Sequence, residues 1–382
     1  MKPKGKSEPP FILTLNVGSS SVKFAVFAAG KPEALLVGQV ERTARPAPGL
    51  DAVLAKTAKL TGTAGWAGIG HRLVHGGPRF SEPRVVSAGV IAELRRLIPF
   101  APEHLPPELA LLEETVRRFP RVRQVACFDT AFHRDLPRVA RLLPIPRRYD
   151  KRGVRRYGFH GLSYEYLRGE LRRLGDPAIF RGRVILAHLG AGASLAAVRD
   201  GVGIDTSMAF TPAAGLVMGT RTGDLDPGVL TYLAQADRLS PPRLRRLVNH
   251  ESGLLGVSGT SADMRKLLAR ERRDRRAAEA VALFCQQAKK WVGGFAAVLG
   301  GLDTLVFSGG IGEHDAVIRA RICDGLGFLG LELDAARNQA HAPVISLPAA
   351  RVTVRVIPTD EERIIARSVE TLLSPWNRAS PK

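Results

Sequence analysis

The chain has 382 residues, a formal net charge of +20, 45% hydrophobic residues and three cysteines. Its length exceeds what one hydrophobic core ordinarily serves, so two domains are expected, and its apolar content excludes an intrinsically disordered chain. Cys127, Cys285 and Cys323 are too far apart for a CxxC site and leave an odd thiol in any disulfide scheme, which points to a reducing compartment. From Phe11 the chain reads as a strand, Ile12-Leu13-Thr14-Leu15, a turn, Asn16-Val17-Gly18-Ser19-Ser20-Ser21, and a second strand, Val22 to Phe27. Pro107 opens a helix in which Leu109, Leu112, Val116 and Phe119 recur on one face. An apolar strand, Gln124 to Phe128, then delivers Asp129. The charge-dense stretch Arg147 to Arg156 marks the boundary between halves, and Ser163 reads as the cap of a helix bearing Leu167, Leu171 and Leu174, closed by Gly175.

The second half opens as the first does. Val184 to Leu189 and Ser194 to Val198 are apolar strands joined by Gly190-Ala191-Gly192-Ala193. A long helix is expected from Arg276 to Leu299, with Val281, Phe284, Ala288, Trp291, Phe295 and Val298 on one side, although Gly293-Gly294 weakens its interior. A third strand, Thr304 to Phe307, runs into Ser308-Gly309-Gly310-Ile311-Gly312. The repeat is weak in sequence and strong in architecture, so we expect two related halves, each opening with a hairpin.

Small-residue turns let backbone N–H groups approach phosphate oxygens. The 16–21 turn adds three hydroxyls, with Lys23 two positions on, and serves either as a phosphate cradle or as an ordinary polar hairpin. Three such turns, none with Walker spacing, argue for a nucleotide held by loops of both halves. Arg72 and Arg221 each lie near glycines, where a guanidinium can grip a carboxylate or phosphate bidentately. The nine histidines lack metal-ligand spacing, which argues against zinc. Basic runs such as Arg265-Lys266-Leu267-Leu268 read as solvated helix faces, without the interleaved aromatics of a single-strand binder. No apolar run approaches the roughly 18 residues that span a bilayer. The MKPKGKSEPP start lacks the apolar segment of a signal peptide. A cytoplasmic protein is expected, with no membrane or nucleic-acid partner.

Seven motifs occur in order: Asn16-x-Gly-Ser-Ser-Ser-x-Lys23, Gly70-His-Arg-x-Val-His-Gly-Gly77, Phe128-Asp-Thr-Ala-Phe-His133, Gly158-Phe-His-Gly161, Thr211-Pro with Gly-Leu-x-Met-Gly-Thr-Arg221, Gly309-Gly-Ile-Gly-Glu313 and Ile357-Pro-Thr-Asp-Glu-Glu362. Together they resemble the acetate/propionate kinase family, from Phe11 to about Thr371. The resemblance implies an α/β fold of two duplicated ribonuclease-H-like domains around a central cleft, as in sugar kinases, heat-shock chaperones and actin. It places the N-terminal domain at 11–150, with a C-terminal helix (about 362–375) packed back on it. The nucleotide-binding domain would be 151–361.

By the same resemblance Asp129, His160 and Arg221 are catalytic, and Arg72, Val74, His104, Phe159 and Pro212 bind the acid. Ser19, Ser21, Lys23, His188, Leu189, Gly190, Ala191, Gly192, Asp263, Met264, Arg265, Gly310, Ile311, Gly312, Glu313 and His314 bind the nucleotide. Asn16 and Glu361 organise Mg²⁺, with Mn²⁺ as an alternative, and ATP or ADP is the co-substrate. A homodimer is also implied. The expected reaction is reversible phosphoryl transfer from ATP to acetate. Propionate or another short acid is the alternative acceptor, and a catalytically silent binding protein is the alternative of a different class.

Such an acid is already ionised at neutral pH, its pKa being near 4.3, so it needs no base. Asp129 is therefore expected to position the metal shell or Arg221 and not to abstract a proton. Three departures from the family pattern stand out: Ala191 where the loop carries Asn, Glu103 where Leu lines the methyl pocket, and His314 where Asn follows the GIGE motif.

Overall fold

A computed structural model describes residues 11–18, 21–62 and 65–373. The chain divides into two compact units, one comprising the residues up to Arg134, Gly161–Tyr166 and those from Asp360 onward, the other Asp135–His160 and Leu167–Thr359.

The first unit is built on one sheet of β1 (Phe11–Val17), β2 (Ser21–Ala28), β3 (Ala34–Glu41), β4 (Trp66–Leu73), β5 (Arg84–Val85) and β6 (Gln124–Phe128), in the order β3-β2-β1-β4-β6-β5. The first three strands form an antiparallel meander, whereas β4 and β6 run parallel with β1. Both faces of β1 are covered, which is why it reads as a nearly continuous apolar run. Leu13 and Leu15 pack with Leu50 and Val53 of the Pro46–Thr61 helix, while Ile12 joins Ile364, Ile365 and Val369 of the Glu361–Leu373 helix. Glycine decides how closely that last helix lies on the sheet. A Cβ on Gly70 would stand 2.3 Å from Ile365 Cγ2, and one on Gly68 2.6 Å from Val369 Cγ1.

The second unit repeats the plan with β7 (Arg183–Leu189), β8 (Ala193–Arg199), β9 (Val202–Thr206), β10 (Thr304–Ser308) and β11 (Thr353–Val356), ordered β11-β10-β7-β8-β9. Again three strands form an antiparallel meander and two more run parallel with the first. In both sheets the loops that leave the parallel strands gather at one edge, where open α/β sheets place their sites.

The helices agree with the sequence reading in kind and differ in detail. The Arg275–Leu299 helix passes through Gly293-Gly294 unbroken, begins behind an Asp274 cap and ends at Gly300 in the left-handed region. Val292 and Leu299 are buried on it, whereas Val298 is 48% exposed, because the buried stripe drifts around a helix this long. Ser163 is not a cap: the helix runs Gly161–Arg173 behind His160, whose φ of 56° is left-handed. Gly161 is required there, since a Cβ would stand 2.0 Å from the Asp129 carbonyl oxygen. The third glycine-rich turn is a short helix, Gly309–His314. Among the described residues no helix is long and apolar enough to cross a membrane.

Candidate active site

In the first unit the ends of β1, β4 and β6 converge on a guanidinium. Register sets Asn16 opposite Arg72 across β1 and β4, and Arg72 opposite Cys127 across β4 and β6. Arg72 then donates to Asp129 Oδ2 from Nε at 3.1 Å and Nη2 at 2.5 Å, to the Val17 carbonyl at 3.2 Å, and to Glu108 Oε1 at 3.1 Å. Asp129, assigned from sequence to the metal shell or Arg221, thus pairs with Arg72. Both carboxylates are buried, while 13% of the Arg72 side chain remains exposed. Burial alone would favour a neutral Arg72, but the charges of Asp129 and Glu108 outweigh it and raise its pKa.

Glu108 was missed by the sequence reading. It lies in the first turn of the Leu105–Arg118 helix, whose apolar repeat hides its significance. Its second oxygen accepts from the Val74 amide at 2.9 Å, so one carboxylate ties together two residues expected to bind the acid. Burial pushes its pKa up to about 8 against the opposing pull of Arg72. His104 caps the same helix, half-buried, and Val74 is buried.

Asn16 Nδ2 donates to Glu361 at 2.9 Å and to Glu362 at 3.4 Å. The pair of glutamates opens the helix that Gly68 and Gly70 admit onto the sheet. Glu362 is the second residue the sequence reading did not single out, and burial followed by its neighbour Glu361 raises its pKa. The donors here are all oxygens, which suits a hard divalent cation held by one or two carboxylates with waters and phosphate oxygens. Among the described residues no group of three or more His, Cys, Asp and Glu forms a protein-only cage. Lys23 lies opposite Asn16 on β2, exposed, and the Ser21 carbonyl accepts from Gly18 N at 2.7 Å; Ser19 lies outside the described residues.

The second unit gathers a different set. His160 Nδ1 meets Ser194 Oγ at 2.8 Å, and its ring lies 4.3 Å from that of His188. A Cβ on Gly192 would stand 3.2 Å from His160 Nε2 and 3.6 Å from Arg221 Nη1, so this glycine lets the turn pass beside both side chains. Arg221 in turn donates to the Pro212 carbonyl at 3.1 Å, and Phe159 is buried.

The 190–192 turn closes on itself through Gly190 N and Gly192 O at 2.9 Å, and Ala191 O accepts from Gly219 at 3.1 Å. Gly309, with φ 75°, packs its Cα where a Cβ would meet Leu189 O at 2.7 Å, which joins the two glycine-rich segments. Glu313 is turned inward. It accepts from Gly309 N at 2.7 Å and Thr359 N at 3.2 Å and so braces its own loop.

Comparison with known proteins decides what this arrangement belongs to. The model of the acetokinase family matches residues 48–367. The chain belongs to the acetokinase family. Members are phosphotransferases that use a carboxyl group as acceptor. An acetate kinase of Methylocella silvestris is 43% identical over 95% of this chain and 98% of its own. A propionate kinase of Citrobacter rodentium is 42% identical over 94% and 96%. The crystal structure of Porphyromonas gingivalis acetate kinase superposes with a TM-score of 0.85 at 36% identity, over 95% of this chain and all of that one.

Within the acetokinase frame the remaining expected residues lie on several loops and short helices, and Gly219 sits between the Ala191 turn and Ala262, next to Asp263. Asp263 caps a short helix and is paired with Arg265, itself 88% exposed, while Met264 is buried. His314 is 78% exposed beside Glu313, whereas Gly312 is buried and Ile311 half-buried. Glu103 is half-buried in the turn leading to the Leu105–Arg118 helix. Ala191 is exposed at the tip of its turn, so the missing amide leaves the bonded backbone intact.

Proposed function

We propose that this chain catalyses reversible phosphoryl transfer between ATP and acetate, giving acetyl phosphate and ADP. The observation that carries the reading is Arg72. It is a guanidinium fixed by two buried carboxylates at the end of a parallel strand and still partly exposed.

Bringing a carboxylate to a phosphoryl group sets two anions together, so catalysis rests on positioning and charge neutralisation. Arg72 serves the acid, and Arg221 with His160 serves the transferring phosphoryl group. Asp129 holds Arg72 in place and needs to take no proton, because the nucleophile is already ionised. His160 Nδ1 is engaged with Ser194, and Nε2 lies on the side of the Gly192 turn, a position that suits a donor to the phosphoryl oxygens. The amides of the 190–192 and 309–312 segments suit the nucleotide phosphates, and Val74, Phe159 and Pro212 suit a small acyl group. Asn16, Glu361 and Glu362 would hold Mg²⁺, which when bound neutralises charge on the phosphates. The family resemblance supports a cytoplasmic homodimer, which light scattering checks for its stoichiometry.

An acyl-hydroxamate assay with ATP, Mg²⁺ and acetate, propionate, butyrate, glycine or glycolate tests the reading. Acetate, followed by propionate, should give the highest kcat/KM. Strong turnover of a polar acid with negligible acetate turnover would overturn it.

A further inference from the structure

We propose that Glu108 is a positioning residue for the acid substrate: it ties the Arg72 guanidinium to the Val74 amide, and its proton sets the net charge presented to the incoming carboxylate. The inference rests on the reading of Arg72 and Val74 as acid-binding groups. Its geometry is independent of that reading. Oε1 accepts from Arg72 Nη1 at 3.1 Å and Oε2 from Val74 N at 2.9 Å, and the side chain is buried. One carboxylate from a helix therefore bridges the end of β4, from Arg72 within the strand to Val74 just beyond it.

Charge gives the second half of the argument. Asp129 already answers the Arg72 charge through two hydrogen bonds to one oxygen. With Glu108 ionised, the three groups carry a net charge of −1 in a place meant to receive an anion. With Glu108 protonated they carry none. The groups that face Glu108 are Arg72 from β4 and Asp129 from the end of β6. The helices packed on its own helix turn their charges outward, Arg95 to Glu113 and Asp51 to Arg118. Burial pushes the Glu108 pKa up to about 8 against the opposing pull of Arg72 and the Val74 amide. An unscreened buried charge outweighs one hydrogen bond, so affinity for the acid should fall as the proton leaves.

The test compares the full-length wild type with Glu108→Gln and Glu108→Leu between pH 7 and 9. KM for acetate, KM for ATP and kcat are measured together with thermal stability. Gln removes the charge and the proton, and its single carbonyl oxygen keeps one of the two accepted bonds. Wild-type KM for acetate should rise on the order of tenfold across this range, while KM for ATP stays within twofold. In Glu108→Gln the acetate KM should be flat with pH. Glu108→Leu, which removes the tie between Arg72 and the Val74 amide, should raise it at every pH.

Stability reads the same proton without substrate. A carboxyl whose pKa is raised on folding makes the folded state bind more protons, so wild-type stability must fall as pH rises through about 8. Glu108→Gln should lose that slope. Parallel pH profiles of acetate KM and of melting temperature in wild type and Glu108→Gln would overturn the inference. A wild type that turns over no short acid at all would instead overturn the acetate reading, and the stability profiles would still decide whether Glu108 titrates there.

Discussion

The two units share a sheet plan, and each draws an arginine into its interior, but they use it in opposite ways. Arg72 in the first unit is answered by Asp129 and Glu108, and its pKa is driven up. Arg319 in the second is wholly buried and answered by neutral groups. It donates to Asn338 Oδ1 and carbonyl, to the Gly312 and Glu313 carbonyls, and to His341 Nδ1, so burial lowers its pKa. The first arginine is exposed enough to meet a substrate. The second is spent on the carbonyls that end the Gly309–His314 helix. Duplicated topology thus fixes where loops gather, while the partner of each charge fixes whether a side chain binds a ligand or braces a loop.

Removing Arg72 should have the largest effect. Losing one desolvated donor typically lowers turnover about 10²–10³-fold. Here it also strands the buried Asp129 carboxylate and takes the donor from Glu108, a loss on the order of 3–5 kcal/mol. Arg72→Ala should therefore fail both in hydroxamate formation and in urea titration. Near-normal activity would remove Arg72 from the site and erase the contrast with Arg319.

A methyl on Gly192 tests the second unit. It would crowd His160 Nε2 at 3.2 Å and Arg221 Nη1 at 3.6 Å, contacts those side chains relieve by moving. Small displacements of catalytic groups cost roughly ten- to a hundredfold in rate, so Gly192→Ala should lower kcat by that much and leave KM for acetate nearly unchanged. A change confined to KM for ATP would show that His160 and Arg221 act on nucleotide binding alone.

Arg319→Met separates bracing from binding. The exposed consequence should be a several-fold rise in KM for ATP, with KM for acetate unaltered, because the loop carbonyls lose their donor. Each buried group left unsatisfied costs about 1–3 kcal/mol, which calorimetry should register as a lower Tm. Equal effects on both substrates would break the division of labour between the two arginines.

Glu103→Leu should do least. Glu103 is half-buried in its turn, and Val74 and Phe159 are buried apolar groups whatever it does. KM for acetate should fall by no more than a few-fold, with the order of acids across the hydroxamate panel unchanged. Acetate activity that appears only in the variant would show that Glu103 selects a polar acid.

Much of this was legible in one dimension. Hairpins, parallel strands and the long helix follow from apolar periodicity and small-residue turns, which are local. Arg72, Arg221 and His160 stand out because they sit in short ordered motifs close to glycine, and Asp129 because it follows an apolar strand. Glu108 and Arg319 do not stand out. Each lies on an ordinary helical repeat, and a charged residue there reads as solvated until packing shows otherwise. Glu362 was quoted as the end of a motif, yet only the bonds from Asn16 show that two carboxylates and not one meet there.

The sequence by itself determined the two-fold architecture, the family and the charged residues proposed for the site. Only the tertiary structure decided the pairing of those charges. Asp129 is separated from Arg72 by more than fifty residues and Glu108 by more than thirty, and their meeting depends on the register of β4 beside β6 and on a helix laid across them. Burial then sets what each ionisable group is worth, since removing water raises the energy of an unanswered charge far more than any local preference of the chain.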